Sequence, residues 1–445
     1  MTATLNSLLD DVSGDVVLPG DRAYERLSRS FVHPGRPALV VRCADVADVR
    51  TAIRFARDNS LVVSVRSGGH SAAGFSTNEG GIVIDVSSLN GIEVLDPRRR
   101  LARLGTGATW GDAARALSAH GLSFSSGDTT TVGVGGLLLG GGIGWMARKY
   151  GLAVDNVVAA EVVTADGDLL RASAEENPEL FWGLRGGSGN FGVATSFDVV
   201  AQPVTDVSFG TIAYPAADTA AVLKGWAACM RSAPEELTCA AAIFPAFGEE
   251  PPPLTLSVCY AGGDAGAAEA AIGPLLGLGD VVDRQIRTMP YPEVLEDPSE
   301  LPPTWVPRVR SSFAPVVTDE LVDAAVTHAR SLDTMYVEFR SLGGAVRRVP
   351  TEATAFAHRD VEALVTAVLL GSPEETYRTP AAAGYEAFWA AAAPHTTGAY
   401  SGFLSRVDAD DIAAVFPPET YARLVELKRR YDPENVFDQN PNVRP

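Results

Sequence analysis

The sequence lacks long apolar runs and an excess of basic residues. No apolar segment reaches the ~20 residues that a membrane-spanning helix requires, and the first ten residues show no basic stretch followed by an apolar core. With 36 Lys and Arg against 55 Asp and Glu, the formal net charge is −19. Such a charge disfavours nucleic acid and anionic lipid as partners. We therefore expect a cytoplasmic protein with no membrane and no nucleic-acid partner.

Cysteine and histidine are also scarce. Four cysteines, none spaced as C-x-x-C, are expected to be small buried residues in a reducing compartment. The six histidines include no pair four residues apart with a glutamate between them, so we predict no metal site. Residues 186–190 fail the G-x-S-x-G pattern at the last position, which disfavours a hydrolase. The cysteines are Cys43, Cys229, Cys239 and Cys259.

Glycine, in contrast, is abundant, with 43 residues in a chain of 445. The length allows two or three domains. Residues 37–43, 81–85 and 101–107 are predicted strands, and the apolar spacing over 46–58 predicts an amphipathic helix. This β-α-β rhythm favours an α+β nucleotide-binding unit.

A short glycine loop follows the predicted buried strand at 62–65. Residues 66–71 read Arg-Ser-Gly-Gly-His-Ser, and the two glycines free the backbone to turn and expose successive N–H groups. Such a turn can hold an anion, and diphosphate is the commonest biological group that needs one. His70 would lie at its rim, able to act as nucleophile, base or ligand. Alone, the six residues would also fit a tight turn with a surface histidine.

Two further glycine-rich regions favour the anion-binding interpretation of this loop over a simple tight turn. Seven glycines fall between positions 133 and 144, a composition unsuited to a helix and poor for a lone strand. Without Cβ atoms, a flat ring or a phosphate can lie directly against this backbone, although a tightly packed turn is the alternative. Residues 187–192 contain a literal G-x-G-x-x-G, but the β-branched stretch 193–200 after it predicts a strand. A Rossmann-type NAD site, which needs a helix there, is disfavoured.

After Pro203 the glycine clusters stop. Residues 254–260 alternate apolar and smaller side chains, and Asp264 is a suitable N-cap for the alanine-rich segment that follows. Similar strand and helix pairs recur at 318–341 and 361–393. We therefore predict a second domain, an antiparallel sheet covered by helices, over about 205–403.

Five segments in this order make the chain resemble the FAD-linked oxidases of the vanillyl-alcohol oxidase superfamily, specifically the berberine-bridge-enzyme-like group. The resemblance covers nearly all of the chain. It implies an α+β fold with a PCMH-type FAD-binding domain built from residues 1–204 and 404–445, and an inserted substrate domain at 205–403 whose sheet covers the flavin ring. The segments are residues 66–70, 131–136, 148–156 with 162–167, 180–192 and 431–437.

The resemblance also implies how FAD is held. The histidine matching His70 carries the 8α-methyl of the flavin covalently, which raises the reduction potential and fixes the ring. Many relatives add a second bond from a cysteine at the position of Thr129, so we predict a single link here and disfavour the bicovalent, sugar-oxidising subgroup. The predicted cofactor-binding residues are Arg66, Ser67, Gly68, Gly69, His70, Ser71, Gly127, Thr129, Thr131, Val132, Gly133, Gly135, Gly136, Gly141, Gly142, Gly144, Asn190, Gly192, Asn440 and Asn442.

The reaction that the resemblance implies is removal of a proton by an enzyme base and of a hydride by the flavin, with O₂ as the expected acceptor and H₂O₂ as its product. Tyr400 matches the family's catalytic tyrosine, but its pKa must be lowered to act near neutrality, and an aromatic lining residue is the equal alternative. The family's asparagine two residues later is Gly402 here. His358 is a possible proton carrier or a structural histidine. Tyr336 and Glu338 share one face of a predicted strand.

The aliphatic, alanine-rich second domain offers few charged groups for a highly polar substrate. We expect a small, fairly apolar molecule, an amine, phenol or natural-product alcohol of secondary metabolism, rather than a free sugar. A flavin-dependent oxygenase or oxidative cyclase is one alternative, and a non-catalytic flavin-binding protein is another, favoured only by Gly402. The oligomeric state stays open.

Overall fold

Three β-sheets organise the part of the chain that the computed structural model describes, residues 2–298, 301–302 and 304–445. The first sheet has four strands in the order β1-β2-β4-β3, with β2 and β3 parallel to β4 and with β1 antiparallel to β2. Its elements are β1 (Asp15–Val17), β2 (Leu39–Arg42), β3 (Val63–Arg66) and β4 (Ile82–Asp85), with helices α1 (Thr2–Asp11), α2 (Tyr24–Leu27) and α3 (Val46–Asp58).

Helix α3 forms over the predicted range because its caps and its apolar spacing agree. The Asp45 side chain accepts a hydrogen bond from the Asp48 amide at the N-terminus. Val49, Ile53 and Ala56 recur on one face and are fully buried against the first sheet. The helix therefore fixes β3 and the loop that follows it.

The second sheet has five antiparallel strands in the order β5-β6-β9-β7-β8. Strand β9 directly follows residues 187–192, so the predicted strand after the G-x-G-x-x-G is confirmed. The elements are β5 (Ile92–Asp96), β6 (Leu101–Gly105), β7 (Val157–Val163), β8 (Leu169–Ser173), β9 (Val193–Val200), α4 (Trp110–Ser118), α5 (Val134–Gly140), α6 (Ala147–Tyr150), α7 (Pro178–Leu184) and the 3₁₀ helix Ala153–Asn156.

The third sheet has seven antiparallel strands in the order β13-β10-β12-β11-β15-β16-β14. Its strands are β10 (Asp206–Tyr214), β11 (Leu237–Ile243), β12 (Leu254–Tyr260), β13 (Asp283–Pro290), β14 (Arg308–Ala314), β15 (Met335–Ser341) and β16 (Ala363–Leu369). Its helices are α8 (Thr219–Ser232), α9 (Ala265–Leu276), α10 (Asp319–Ser331), α11 (Ala345–Arg348), α12 (Pro373–Arg378) and α13 (Pro380–Ala392), with 3₁₀ helices Ala216–Asp218, Tyr291–Val294, Thr351–Ala353, Ala393–His395 and Ser401–Phe403.

The longer helices α8, α9, α10 and α13 pack together on one face of this sheet. On β15, Met335, Val337 and Phe339 are fully buried in the core beneath the helices. Tyr336 and Glu338 lie on the opposite face, as the period of two predicts. Strand β12 and the N-cap Asp264 also match their predictions, and the predicted antiparallel sheet with helices is confirmed.

The C-terminal segment packs back onto the N-terminal part. It contains α14 (Ala409–Val415) and α15 (Pro418–Tyr431). On α15, Lys428 is completely buried, and its Nζ donates to the carbonyls of Asn190 (3.0 Å) and Phe437 (2.8 Å) and to the Asp432 carboxylate (2.7 Å). These bonds tie the chain end to the glycine loop before β9. The boundaries 1–204, 205–403 and 404–445 stay predictions.

Two local predictions were wrong. The glycine stretch contains a helix, α5, because Gly135 approaches Thr106 so closely that an added Cβ would lie 3.1 Å from its Cβ, so tertiary packing outweighs the low helix propensity. Val62 precedes strand β3 and is 42% exposed rather than buried.

The four cysteines are free thiols. Cys43, Cys239 and Cys259 are buried, as predicted, but the prediction is wrong for Cys229, which is partly exposed. Along the described residues, we find no helix whose length and apolar character would let it cross a bilayer.

Candidate cofactor and substrate site

A cavity of about 580 Å³ lies between the glycine loops and the third sheet. Its size is within the range of roughly 300–1,000 Å³ that is typical of ligand and cofactor pockets. The lining is mainly apolar and comes from parts of five segments: 67–72, 127–143, 188–194, the face of the third sheet that carries Tyr336 and Glu338, and 437–441. The cavity therefore joins all three parts of the chain that the resemblance assigns to one site.

Two glycine backbones form its floor by direct contact. A Cβ added to Gly68 would lie 2.3 Å from the Gly133 nitrogen, and one added to Gly133 would lie 2.3 Å from the Gly68 nitrogen. Because backbone atoms cannot move aside as side-chain ends can, no other residue type fits at either position. Gly69 adds a left-handed turn, with φ of +74°.

The loop leaves its backbone donors unused. Within the described residues, none of the amides of residues 67–71 donates a hydrogen bond to the protein. Successive free N–H groups in a turn form an anion-binding nest. Two buried oxygens, Ser76 Oγ and Asn440 Oδ1, also lack a partner there. Open donors, unpaired polar atoms and a glycine floor fit a dinucleotide such as FAD.

His70 lies at the rim of this floor and is held from two directions. Its Nε2 is 2.8 Å from Thr131 Oγ1, and its ring stacks on Phe31 with centroids 4.6 Å apart and planes inclined by 15°. Burial lowers the pKa of His70 to about 4. The imidazole is therefore neutral at neutral pH and keeps a lone pair on one nitrogen.

Charged side chains converge at the end of the cavity beneath the third sheet. The Arg340 guanidinium donates to Asp128 Oδ2 at 2.7 Å and to Glu338 Oε1 at 3.0 Å, and it lies 5.0 Å from the Trp145 ring centroid. The Tyr336 hydroxyl donates to Glu338 Oε2 at 2.8 Å. We call Asp128, Tyr336, Glu338 and Arg340 the acidic network, because two carboxylates face one guanidinium.

Burial and pairing set the protonation in this network. Burial raises the pKa of Tyr336 well above its usual value, and the Glu338 carboxylate adds to the effect. For Asp128, burial opposes ionisation, but the Arg340 charge outweighs it and holds the pKa of the carboxyl below its usual range. Tyr336 is therefore a neutral phenol whose proton already points at a carboxylate.

Tyr400 lines the same cavity among aromatic rings. Its hydroxyl accepts a hydrogen bond from the Gly142 amide at 3.2 Å, and the rings of Phe356 and Phe403 lie beside it. Burial raises the pKa of Tyr400 to about 12. The lowered pKa that a tyrosine base needs is not found here.

Most of the predicted cofactor residues meet at the cavity. Those that line it, together with Tyr336, Glu338 and Tyr400, are Ser67, Gly68, Gly69, His70, Ser71, Gly127, Thr129, Val132, Gly133, Gly135, Gly136, Gly192 and Asn440. Those that the structure does not bring to the lining are Arg66, Thr131, Gly141, Gly142, Gly144, Asn190, Asn442 and His358.

Hydrogen bonds explain why three of these residues do not line the cavity. The Arg66 guanidinium donates to the Leu27 and Arg29 carbonyls, both at 2.7 Å. Asn190 is fully buried and bonds to backbone at residues 187, 441 and 443, so it joins the chain end to the glycine loop. His358 Nε2 lies 3.0 Å from the Ala414 carbonyl, which favours the structural alternative for this residue.

Close packing explains why three glycines do not line the cavity. A Cβ on Gly141 would lie 2.8 Å from the Phe356 ring, and one on Gly144 would lie 2.8 Å from Ser125 Oγ. Gly142 has φ of +76° and would collide with Leu137. This end of the glycine stretch therefore fits the tightly packed alternative, and the end at 133–136 fits the cofactor hypothesis.

Several lining residues were missed from the sequence. Arg340 continues the period of two from Tyr336 and Glu338, so that signal was present. Asp128 stands between two residues that were predicted, Gly127 and Thr129. Phe31 gave no signal, because only the folded chain brings it to His70.

Comparisons with known proteins agree with this site. The family profile described as "FAD binding domain" matches residues 37–173, and "Berberine and berberine like" matches residues 413–444. The chain is 33% identical to (R)-6-hydroxynicotine oxidase of Paenarthrobacter nicotinovorans over 98% of this chain and 97% of that one. It is 32% identical to xylooligosaccharide oxidase of Thermothelomyces thermophilus over 74% of this chain and 70% of that one.

Solved structures show the same fold. The crystal structure of 6-hydroxy-D-nicotine oxidase from Arthrobacter nicotinovorans superposes with a TM-score of 0.85 at 31% identity, covering 98% of both chains. A berberine bridge enzyme variant superposes with a TM-score of 0.86 at 21% identity, covering 99% of both chains, which supports the fold alone.

Fold and cavity thus define an FAD-binding oxidoreductase. The chain belongs to the berberine-bridge-enzyme-like FAD-linked oxidases of the vanillyl-alcohol oxidase superfamily. FAD would be held by the backbone nest at residues 67–71 and by the glycine floor, and when bound it supplies hydride acceptance.

Gly136 offers a test of the cofactor cradle. It lines the cavity, and nothing in the protein lies within 4 Å of an added Cβ. We expect Gly136→Val to keep the melting temperature of the flavin-free protein within about 2 °C but to lower the flavin-to-protein absorbance ratio by more than half. Gly273→Val on α9, which also has open space at its Cβ, is the control and should leave the ratio unchanged. Normal flavin content in Gly136→Val would contradict the cradle.

Proposed function

We propose that the chain oxidises a small, fairly apolar amine, passing a hydride to FAD that is bound covalently through His70, with O₂ as the acceptor and H₂O₂ as the product. The observation that carries this proposal is that a neutral histidine and an acidic network line one glycine-floored cavity. The role in secondary metabolism stays a hypothesis.

The negative charge of the acidic network favours an amine substrate over a phenol or an alcohol. Asp128 and Glu338 offer two negative charges against the single positive charge of Arg340. Arg340 is only 5% exposed and the Glu338 side chain 12%, whereas the Asp128 side chain is 37% exposed, so solvent screens the charge of Glu338 less than that of Asp128. A protonated amine would neutralise the excess negative charge, whereas an uncharged alcohol would not. The relative named (R)-6-hydroxynicotine oxidase is consistent with such a substrate.

Proton removal from the bound amine has two candidate acceptors. Tyr400 remains the prediction from the family pattern. Burial raises its pKa to about 12, and the Gly142 amide, which donates to its hydroxyl, opposes that rise by stabilising the phenolate. The Tyr336–Glu338 pair is already arranged for transfer, because a proton taken up by the phenol oxygen can be balanced by release of the phenol proton to Glu338. Burial raises the pKa of Tyr336 as well, so the hydrogen bond to Glu338, and not acidity, is what favours the pair.

Covalent attachment is tested by His70→Ala. We expect acid-precipitated wild-type protein to keep its flavin on a denaturing gel viewed under ultraviolet light, because the C–N bond survives denaturation. His70→Ala should lose this fluorescence completely while retaining FAD that acid releases. His120→Ala, which changes an exposed histidine just after helix α4, serves as the control. Fluorescence that persists in His70→Ala would assign the bond to another residue.

The acceptor is tested by three variants in anaerobic stopped-flow. We expect Tyr336→Phe and Glu338→Gln to slow flavin reduction by about 10²–10⁴, as loss of a general base does, and Tyr400→Phe to slow it by less than tenfold. Flavin content measured in each variant controls for cofactor loss. The reverse order of effects would return the role to Tyr400.

The substrate class is tested by matched pairs of amines and alcohols on one carbon skeleton. We expect the amine to bleach the flavin anaerobically at least tenfold faster than the alcohol, and turnover in air to yield one H₂O₂ per substrate. A peroxide yield well below one would favour the oxygenase or cyclase alternative. No bleaching by any compound in a broad panel would favour the non-catalytic alternative.

A further inference from the structure

A short segment crosses over the His70 loop and holds it at several points. We call residues 26–36 the strap. The Phe31 amide donates to the Gly69 carbonyl at 2.8 Å, and His33 Nε2 lies 2.7 Å from the Ala72 carbonyl. Arg66 donates to strap carbonyls at residues 27 and 29, and Thr77 Oγ1 donates to the Ser28 carbonyl. The strap therefore contacts both ends and the middle of the loop.

Phe31 is the strap residue that reaches the imidazole. Its ring stacks on His70 with a centroid separation of 4.6 Å, and it lines the cavity while remaining 42% exposed. An exposed phenylalanine is not needed for the protein core, which it does not join. Its position against a neutral histidine at a cofactor cavity calls for another explanation.

Bond formation at His70 requires a defined ring orientation. The imidazole has two torsions to fix, and a nucleophile must present one lone pair to the carbon that it attacks. Thr131 engages Nε2, and Nδ1 has no partner among the described residues. A hydrogen bond to one ring nitrogen limits rotation only partly, whereas a parallel aromatic ring fixes the plane. Together the two contacts leave one nitrogen available in one orientation.

We propose that Phe31 is a positioning residue for covalent flavin attachment, which rests on the proposed function of His70. In this step a new bond joins Nδ1 to the 8α carbon of the flavin, and one C–H bond of that methyl group breaks. Its proton leaves, the imidazole gives up the proton on its other nitrogen, and the electron pair remains in the reduced flavin. Dioxygen then takes the two electrons with two protons and forms hydrogen peroxide.

The test follows attachment separately from binding. Full-length protein produced in riboflavin-limited cells is supplied with FAD, and covalent flavin is followed over time by intact mass while acid-released flavin is measured in parallel. We expect Phe31→Leu to bind total flavin at the wild-type level but to form the bond at least tenfold more slowly. Phe31→Tyr, which retains the stacked ring, should attach flavin within twofold of the wild-type rate.

Two controls separate the outcomes. Phe247→Leu changes another exposed phenylalanine, which is 52% exposed and whose ring lies beside Trp305 rather than His70, and should attach flavin normally. Thr131→Val removes the other restraint and should also slow attachment. Attachment by Phe31→Leu at the wild-type rate would overturn the proposal. So would a parallel loss of total and covalent flavin, since Phe31 would then serve binding.

Failure of the proposed function gives a different pattern. Wild-type protein that forms no covalent flavin, or His70→Ala that still forms it, would contradict the attachment site itself. Both of these outcomes concern His70 and do not depend on Phe31. Slow attachment in Phe31→Leu, together with normal attachment in the wild type and no covalent flavin in His70→Ala, would support both the attachment site at His70 and the positioning role of Phe31.

Discussion

The contact between the Gly68 and Gly133 backbones is the constraint on which the site depends. A Cβ at either position would lie 2.3 Å from the nitrogen of the other, so the two segments meet only because both lack side chains. His70 lies two residues after Gly68 and Thr131 two residues before Gly133. The contact therefore brings the histidine and the hydroxyl to 2.8 Å and at the same time creates the floor on which a flat cofactor can lie.

The acidic network closes the opposite end of the cavity. Arg340 comes from the third sheet and Asp128 from the loop of the glycine region, so their ion pair joins the two parts of the chain across the site. Burying these charges is costly, and the hydrogen bonds from Arg340 to both carboxylates offset that cost. One set of contacts thus positions the sheet over the cavity and gives the cavity its negative excess.

Patterns within short stretches of sequence predicted those features that depend on neighbouring residues alone. Period-two alternation placed Tyr336 and Glu338 on one face, and glycine spacing located the His70 loop. Tertiary packing decided the rest. Glycines 133–136 and 141–144 look alike in sequence, yet the first group lines the cavity and the second does not. Arg66 belongs to the cofactor motif, but its Nη1 donates to carbonyls of the strap and its Nε lies 3.6 Å from Asp85, contacts that no spacing rule reveals.

Gly402, where the family pattern has asparagine, links the departure from that pattern to the choice of base. A Cβ at this position would lie 2.8 Å from the Tyr400 ring and 3.2 Å from its hydroxyl. The Tyr400 phenol thus occupies space that a side chain at 402 would take, and its hydroxyl bonds to the Gly142 amide instead. Burial raises the pKa of Tyr400 and of Tyr336 alike, but Tyr336 already has a hydrogen bond to Glu338 through which its proton can leave. That hydrogen bond is the physical reason that we favour the Tyr336–Glu338 pair.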